Sequence, residues 1–324
     1  MFLWLTKRLS QAAMVVLAMT VIVFIGLHLL GNPVDVLLSP EATALERERL
    51  IADLGLDRPL WMQYFAFLQG IWHGNMGTSF VFNMPALDLI KQRLPATLEL
   101  AMAALLIALV IGLPCGLVAG LKPKAWYSRL MMSGSVLGFS LPTFWVGLML
   151  IMVFSVRLGW LPSSGRGETV TLLGVQWSIF TRDGLAHLVL PAINLALFKV
   201  SMVMRLTRAG VAEAAKMDYV RFARAKGLSG RRIVGVHILK NILIPVVTVV
   251  GMEFGSTIAF AVVTESIFAY PGMGKLIIDS INQLDRPVIV AYLIVIVIMF
   301  VVINLVVDVL YRLLDPRVRL EGKA

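Results

Sequence analysis

Residues 288–310 read VIVAYLIVIVIMFVVINLVVDVL, twenty-three positions whose one charge, Asp308, stands near the end. A helix of that length runs ~35 Å at 1.5 Å per residue, and a hydrocarbon core needs about 20 apolar residues to be crossed. The stretch is apolar on every side, so it has no water-facing stripe to place at a soluble surface. Arg286 and Arg312 flank it. Five further stretches share this character: 9–30, 96–121, 130–156, 187–206 and 242–268. The pattern predicts an all-α integral membrane protein with six transmembrane helices. Residues 1–30 form the N-terminal helix, 31–95 a mostly polar segment, 96–311 a five-helix core and 312–324 a tail. Within the core, residues 205–241 form a long polar loop. The basic start at Lys7 and Arg8 resembles a secretory leader, but the run behind it is long enough to span and shows no small-residue cleavage site, so it reads as a retained anchor.

Composition points the same way. Of 324 residues, 59% are hydrophobic and 15% charged, against roughly 45–50% and about 25% in ordinary soluble domains. The net charge is +10, which in a soluble chain suggests nucleic acid. Here the charge sorts by side. With the N-terminus inside, eighteen of the 29 Lys and Arg fall on inner segments and ten on outer ones, with Lys199 inside a span. Inner loops of membrane proteins carry that excess, so both termini and the 205–241 loop are expected in the cytoplasm, and 31–95 outside. No nucleic-acid role is expected. The single cysteine, Cys115, excludes an internal disulfide framework.

Catalytic apparatus is not legible. The stretch Gly272-Met273-Gly274-Lys275-Leu276 lacks the first glycine of a phosphate loop, and Leu276 stands where a hydroxyl would hold magnesium. His28, His73, His187 and His237 lie in four separate segments without a second ligand at helical spacing. Packing signals are stronger. Gly112/Gly116/Gly120, Gly134/Gly138 and Gly251/Gly255 repeat every four residues, the spacing that lets membrane helices approach closely, as a fixed seam or a sliding one. Pro114 and Pro142 interrupt spans, and Ser140-Leu141-Pro142-Thr143-Phe144-Trp145 places freed backbone groups at mid-membrane. Among ionisable residues, Glu99 and Asp308 are expected to reach the interface. Lys199, six residues before Arg205, is expected to snorkel over ~9 Å. Glu253 lies twelve residues after Asn241, ~18 Å deep, where a carboxylate must pair, protonate or face water.

The inner loop carries the strongest functional signal. In DYVRFARAKGL, residues 218–228, Asp218 is an expected N-cap and Gly227 an expected helix stop. Tyr219, Phe222, Ala223 and Lys226 share one stripe. The helix reads either as a segment lying on anionic lipid or as a docking knob for a cytoplasmic partner.

This stretch, followed by His237, Asn241 and Pro245, resembles the EAA-type loop of bacterial ABC importer permeases, in the dipeptide/oligopeptide/nickel branch. The literal Glu213-Ala214-Ala215 lies twelve residues before Gly227, so the likeness rests on the branch version of the loop. Other blocks agree in order: LGLDRPL at 54–60 with Gln63-Tyr64, RLPATLEL at 93–100, Ser140-x-Pro142-x-Phe144-Trp145, Gly159-Trp160-Leu161-Pro162 with Gly165, and ESIFAYPGMG at 265–274. The resemblance implies a multi-pass permease subunit of the bacterial inner membrane working by alternating access. Its partners would be a second homologous permease, two cytoplasmic ATPases, an extracytoplasmic solute-binding protein and membrane lipid. It implies no enzyme activity and no cofactor in this chain, ATP and magnesium belonging to the ATPases. Asp218, Tyr219, Arg221, Phe222, Ala223, Arg224, Ala225, Lys226 and Gly227 would couple the spans to the ATPases. Ser140, Pro142, Phe144, Trp145 and Glu253 would line the path. Di- and oligopeptides are the implied substrates, with nickel, glutathione-like peptides or opines as alternatives. A self-contained secondary carrier with Glu253 as its ion site is the alternative of another class.

Overall fold

The computed structural model describes residues 2–29, 34, 38, 43–53 and 55–314. Leu54 and the tail from 315 onward, both named above, lie outside the described residues. The helices are α1 (Phe2–Leu29), α2 (Ala44–Asp53), α3 (Leu60–Trp72), α4 (Ala86–Leu121), α5 (Trp126–Ser140), α6 (Thr143–Arg157), α7 (Arg182–Ala214), α8 (Asp218–Ala225), α9 (Gly230–Ile267), α10 (Met273–Asn282) and α11 (Arg286–Leu314). Wider π-type turns occupy Ile151–Arg157 of α6 and Ile233–Leu239 of α9. A two-stranded antiparallel hairpin, β1 (Val170–Leu172) and β2 (Val175–Trp177), is the one departure from an all-helical plan among the described residues.

Five of these helices, α1, α4, α7, α9 and α11, are long and apolar enough to cross a membrane. The third expected span, 130–156, is not one helix. It is α5 and α6, meeting at 105°. Pro142 has no N–H to donate, and its ring pushes the preceding residue out of helical geometry. Leu141 accordingly sits extended, at φ −78° and ψ 134°. Pro95, Pro114, Pro191 and Pro245 stay inside continuous helices. The fourth span runs past its expected end at 206 to Ala214, so Arg205, Arg208 and Glu213 are helical rather than looped.

The chain divides into two compact units. The first comprises residues 1–94 and 275–301, the second 95–274 and 302–324. In the first, Val23 of α1 packs with Val290 and Ile294 of α11, flanked by Phe67 and Ile71 of α3. Thr20 and Tyr64 share a hydrogen bond of 2.9 Å between α1 and α3. A capping box starts α2: the Thr43 N–H donates to Glu46 at 2.8 Å and the Glu46 N–H to the Thr43 hydroxyl at 3.3 Å. These hydrogen bonds hold the Glu46 carboxyl below its ordinary range. Buried Asp285 accepts from the Ser79 hydroxyl and the Phe80 N–H, fixing the 79–85 turn.

In the second unit the glycine stripe of α4 is a packed seam. A Cβ on Gly112 would stand 2.9 Å from Val203, on Gly116 2.6 Å from Thr207, and on Gly120 2.6 Å from Val211. Three successive turns of α4 therefore lie directly on α7. Leu105 and Ala108 of α4 continue the contact with Val203 of α7 and Val246 and Val250 of α9.

Candidate functional site

The short helix α8 is built on its own apolar seam. Val220 and Ala223 are buried with Val211 and Ala214 of α7 and Ile233, Ile238 and Ile242 of α9. The expected stripe therefore divides. Ala223 turns inward, while Tyr219 and Phe222 are exposed, Phe222 by 61%. Lys226 lies over the Phe222 ring at 4.5 Å, and Asn241 donates to the Tyr219 hydroxyl at 2.9 Å. Arg221 pairs with Asp218 at 3.6 Å on the surface. Arg224 occupies the last turn, followed by Ala225 at the helix end.

Two expectations are corrected here. Asp218 is not the N-cap: Met217 holds that position in extended geometry, and Asp218 is the first helical residue. Its charge complements the helix's positive end instead. Nor does this segment lack a core to join, since Val220 and Ala223 supply one. The expected stop at Gly227 is present with φ +75°. The Gly227 N–H donates to the Arg224 carbonyl at 2.9 Å and the Leu228 N–H to that of Ala223 at 3.2 Å, the paired bonds of a Schellman ending.

A second constellation lies mid-helix. Lys199 of α7 donates to Glu253 of α9, so its expected snorkelling is corrected: the ammonium is buried in a pair, not carried to the interface. Ser256 bridges the pair, accepting from Lys199 at 3.3 Å and donating to Glu253 at 2.9 Å. Glu253 itself is paired, one of the outcomes its depth demands, with its side chain 30% exposed. The neighbouring Phe198 stacks on Phe139 of α5 at 4.9 Å, and Arg205 lies over Phe139 at 4.9 Å. Ser140, next in α5, donates to the Val136 carbonyl at 2.9 Å. Pro142 opens α6, with Phe144 and Trp145 exposed on its first turn. The α5–α6 elbow and Glu253 are thus linked through Phe139, Phe198 and Lys199.

A third constellation gathers the blocks quoted from 93–100, 159–165 and 265–274. Glu99 does not reach an interface. It is 3% exposed and accepts from Arg166 at 2.9 and 3.1 Å, the Ser178 N–H at 2.6 Å and the Ser178 hydroxyl at 2.7 Å. Tyr270 donates to the same carboxylate at 3.4 Å, and burial pushes its phenol up to about 12. Thr97 donates to buried Glu265 at 2.7 Å and accepts from the Met273 N–H at 2.8 Å. The Gly165 N–H donates to the Phe268 carbonyl at 3.0 Å. Gly272 leaves room for the Glu265 carboxylate, which a Cβ would strike. Sequence reading missed Arg166, Ser178, Thr97 and Glu265 as partners. Their one signal was the cluster of chargeable residues inside otherwise apolar blocks.

Helices joined by close glycine contacts, a broken helix, a buried charge pair and a rigidly held surface helix define a multi-pass membrane permease rather than a catalyst. The binding-protein-dependent transport system inner membrane component family matches residues 112–320, and its N-terminal companion, the membrane component N-terminal family, matches residues 1–101. The chain belongs to this family of inner-membrane permease subunits of binding-protein-dependent ABC importers. It is 34% identical over 336 residues to the dipeptide transport system permease protein DppB of Escherichia coli K12, with 98% of this chain and 99% of that protein covered. To the di/tripeptide transport system permease protein DppB of Pseudomonas aeruginosa UCBPP-PA14 it is 39% identical over 340 residues, at 98% and 99% coverage. A chain of the inward-facing MetNI methionine ABC transporter shares the fold at TM-score 0.53 and 16% identity, covering 70% of this chain and 97% of its own. The self-contained carrier is thereby set aside, and the location is the bacterial inner membrane.

Proposed function

We infer that this chain forms half of a translocation path for di- and oligopeptides. Likeness to peptide permeases over nearly the whole length supports the substrate class. Nickel, glutathione-like peptides and opines are the other substrates of this class of importer to be compared. The assembly comprises a second homologous permease, two cytoplasmic ATPases that bind ATP with magnesium, and an extracytoplasmic solute-binding protein, all set in lipid. This chain needs no cofactor of its own. Both termini and the segment containing α8 face the cytoplasm, and residues 31–95 face outward.

The observation that carries the mechanism is the division of α8. Its inner face is packed against α7 and α9 through Val220 and Ala223, and its outer face offers Tyr219 and Phe222. A push on the outer face is transmitted to two membrane helices without slack. ATP-driven closure of the ATPases would move α8 and so swing the helices around Ser140, Pro142, Phe144, Trp145 and Glu253. Uptake by the reconstituted complex, with its own binding protein, of a panel of labelled di- and oligopeptides, nickel and an opine tests the substrate reading. Peptide uptake that requires ATP is the expected result. Uptake of nickel or opine alone overturns it.

A further inference from the structure

The Lys199–Glu253 pair is more than a tie between α7 and α9. Both residues lie near the middle of long apolar helices, Lys199 fifteen residues before the end of α7 and Glu253 fourteen before the end of α9, or ~20 Å along the axis. A structural pair at that depth would close itself off from its surroundings. This one stays open on the carboxylate side. Glu253 is 30% exposed. Its Oε2 takes both Lys199 and Ser256, while Oε1 accepts no hydrogen bond among the described residues. Ser256 and exposed Phe260 continue the stripe of Glu253 along α9, a mixed polar and aromatic face unsuited to lipid. Through Phe198 and Phe139 it adjoins the α5–α6 elbow.

We propose that the Lys199–Glu253 pair is an exchange site for zwitterionic substrate in the path, Glu253 taking the substrate's ammonium and Lys199 its carboxylate. The inference rests on the peptide reading above. Its logic is charge balance. A lone cation arriving at Glu253 displaces Lys199 and strands an ammonium in a poorly solvated site; a lone anion strands the carboxylate. A zwitterion supplies both replacements, so no charge is left unpaired. The geometry allows it. The termini of an extended dipeptide stand about 7 Å apart at ~3.5 Å per residue, and the four-carbon stem of Lys199 swings to open that gap. When the substrate leaves, the internal pair re-forms, which prevents the site from holding its cargo.

The experiment uses the complete importer in proteoliposomes with alanyl-alanine. The double variant Lys199→Met/Glu253→Gln removes both charges together, a change that buried ion pairs often tolerate structurally. It is expected to copurify with its ATPases while uptake falls about ten-fold, the loss of one charge-assisted contact. Wild-type uptake in the assembled double variant overturns the proposal. Photolabelling of the unmodified importer with p-azidophenylalanyl-alanine decides the case even where the variant fails to assemble. Adducts on α7 or α9 within a turn of Lys199 or Glu253 support the site, and adducts confined elsewhere overturn it. Failure of the peptide reading shows separately, as an unmodified importer that takes up no alanyl-alanine.

Discussion

Glu99 and Arg166 are both nearly fully buried, their side chains 0% and 8% exposed. Removing one partner of such a pair costs about 3–5 kcal/mol because the other charge is stranded, whereas removing both is often close to neutral. Arg166→Met alone should therefore lower the thermal midpoint of the purified protein more than Arg166→Met combined with Glu99→Gln. Equal losses in the two would show that the pair is not the unit that matters. Gly227 offers a backbone test. At φ +75° a β-branched side chain is strained by about 1–2 kcal/mol. Gly227→Val should loosen the ending of α8 and reduce ATP-dependent uptake, and Gly227→Asn, which tolerates this geometry, should retain most of it. Identical uptake in Val and Asn variants would remove the conformational argument. Of these residues, Gly227 was readable from its place after a helical stripe. Glu99 was not, because its partners lie 67 and 79 positions away.

At the scale of the element, α8 separates two jobs on two faces. Phe222→Ala removes an exposed ring and leaves the Val220–Ala223 seam intact. Truncating a central interface aromatic often costs ~2 kcal/mol or more. The variant should recover less ATPase in a pull-down at unchanged thermal stability. Val220→Ala should do the reverse, lowering stability. Full ATPase recovery and uptake with Phe222→Ala would leave α8 as a basic segment on lipid. The sequence pattern marked the aromatic stripe but not the seam, since Val220 and Ala223 are small apolar residues among charges and their neighbours arrive from α7 and α9. The glycine stripe of α4 was legible as an interface. Only the structure shows it seated turn by turn on Val203, Thr207 and Val211.

For the whole molecule, six apolar stretches and the side on which basic residues cluster were enough to set the class and a topology. The spans came through except where Pro142 divides one, because hydropathy counts residues and is blind to direction. The topology is checked by cysteine labelling in intact cells, in a background lacking Cys115. Trp72→Cys, at a position 86% exposed in the 31–95 segment, should react with an impermeant reagent. Arg221→Cys on α8 should react only after lysis. The opposite pattern inverts the arrangement. The elbow itself bears on how the protein is made. α5 and the α6 segment each span fifteen residues, or ~22 Å, short of a ~30 Å hydrocarbon layer. Their meeting point leaves the last carbonyls of α5 and the first N–H groups of α6 without helical partners, and α6 starts with no side-chain cap. Lipid cannot satisfy those groups; neighbouring protein or enclosed water can. A copy synthesised in excess of its companions thus carries a permanent mark of incompleteness at its centre, one that membrane quality control can read, so the amount of this subunit in the cell is set by the scarcest member of its complex.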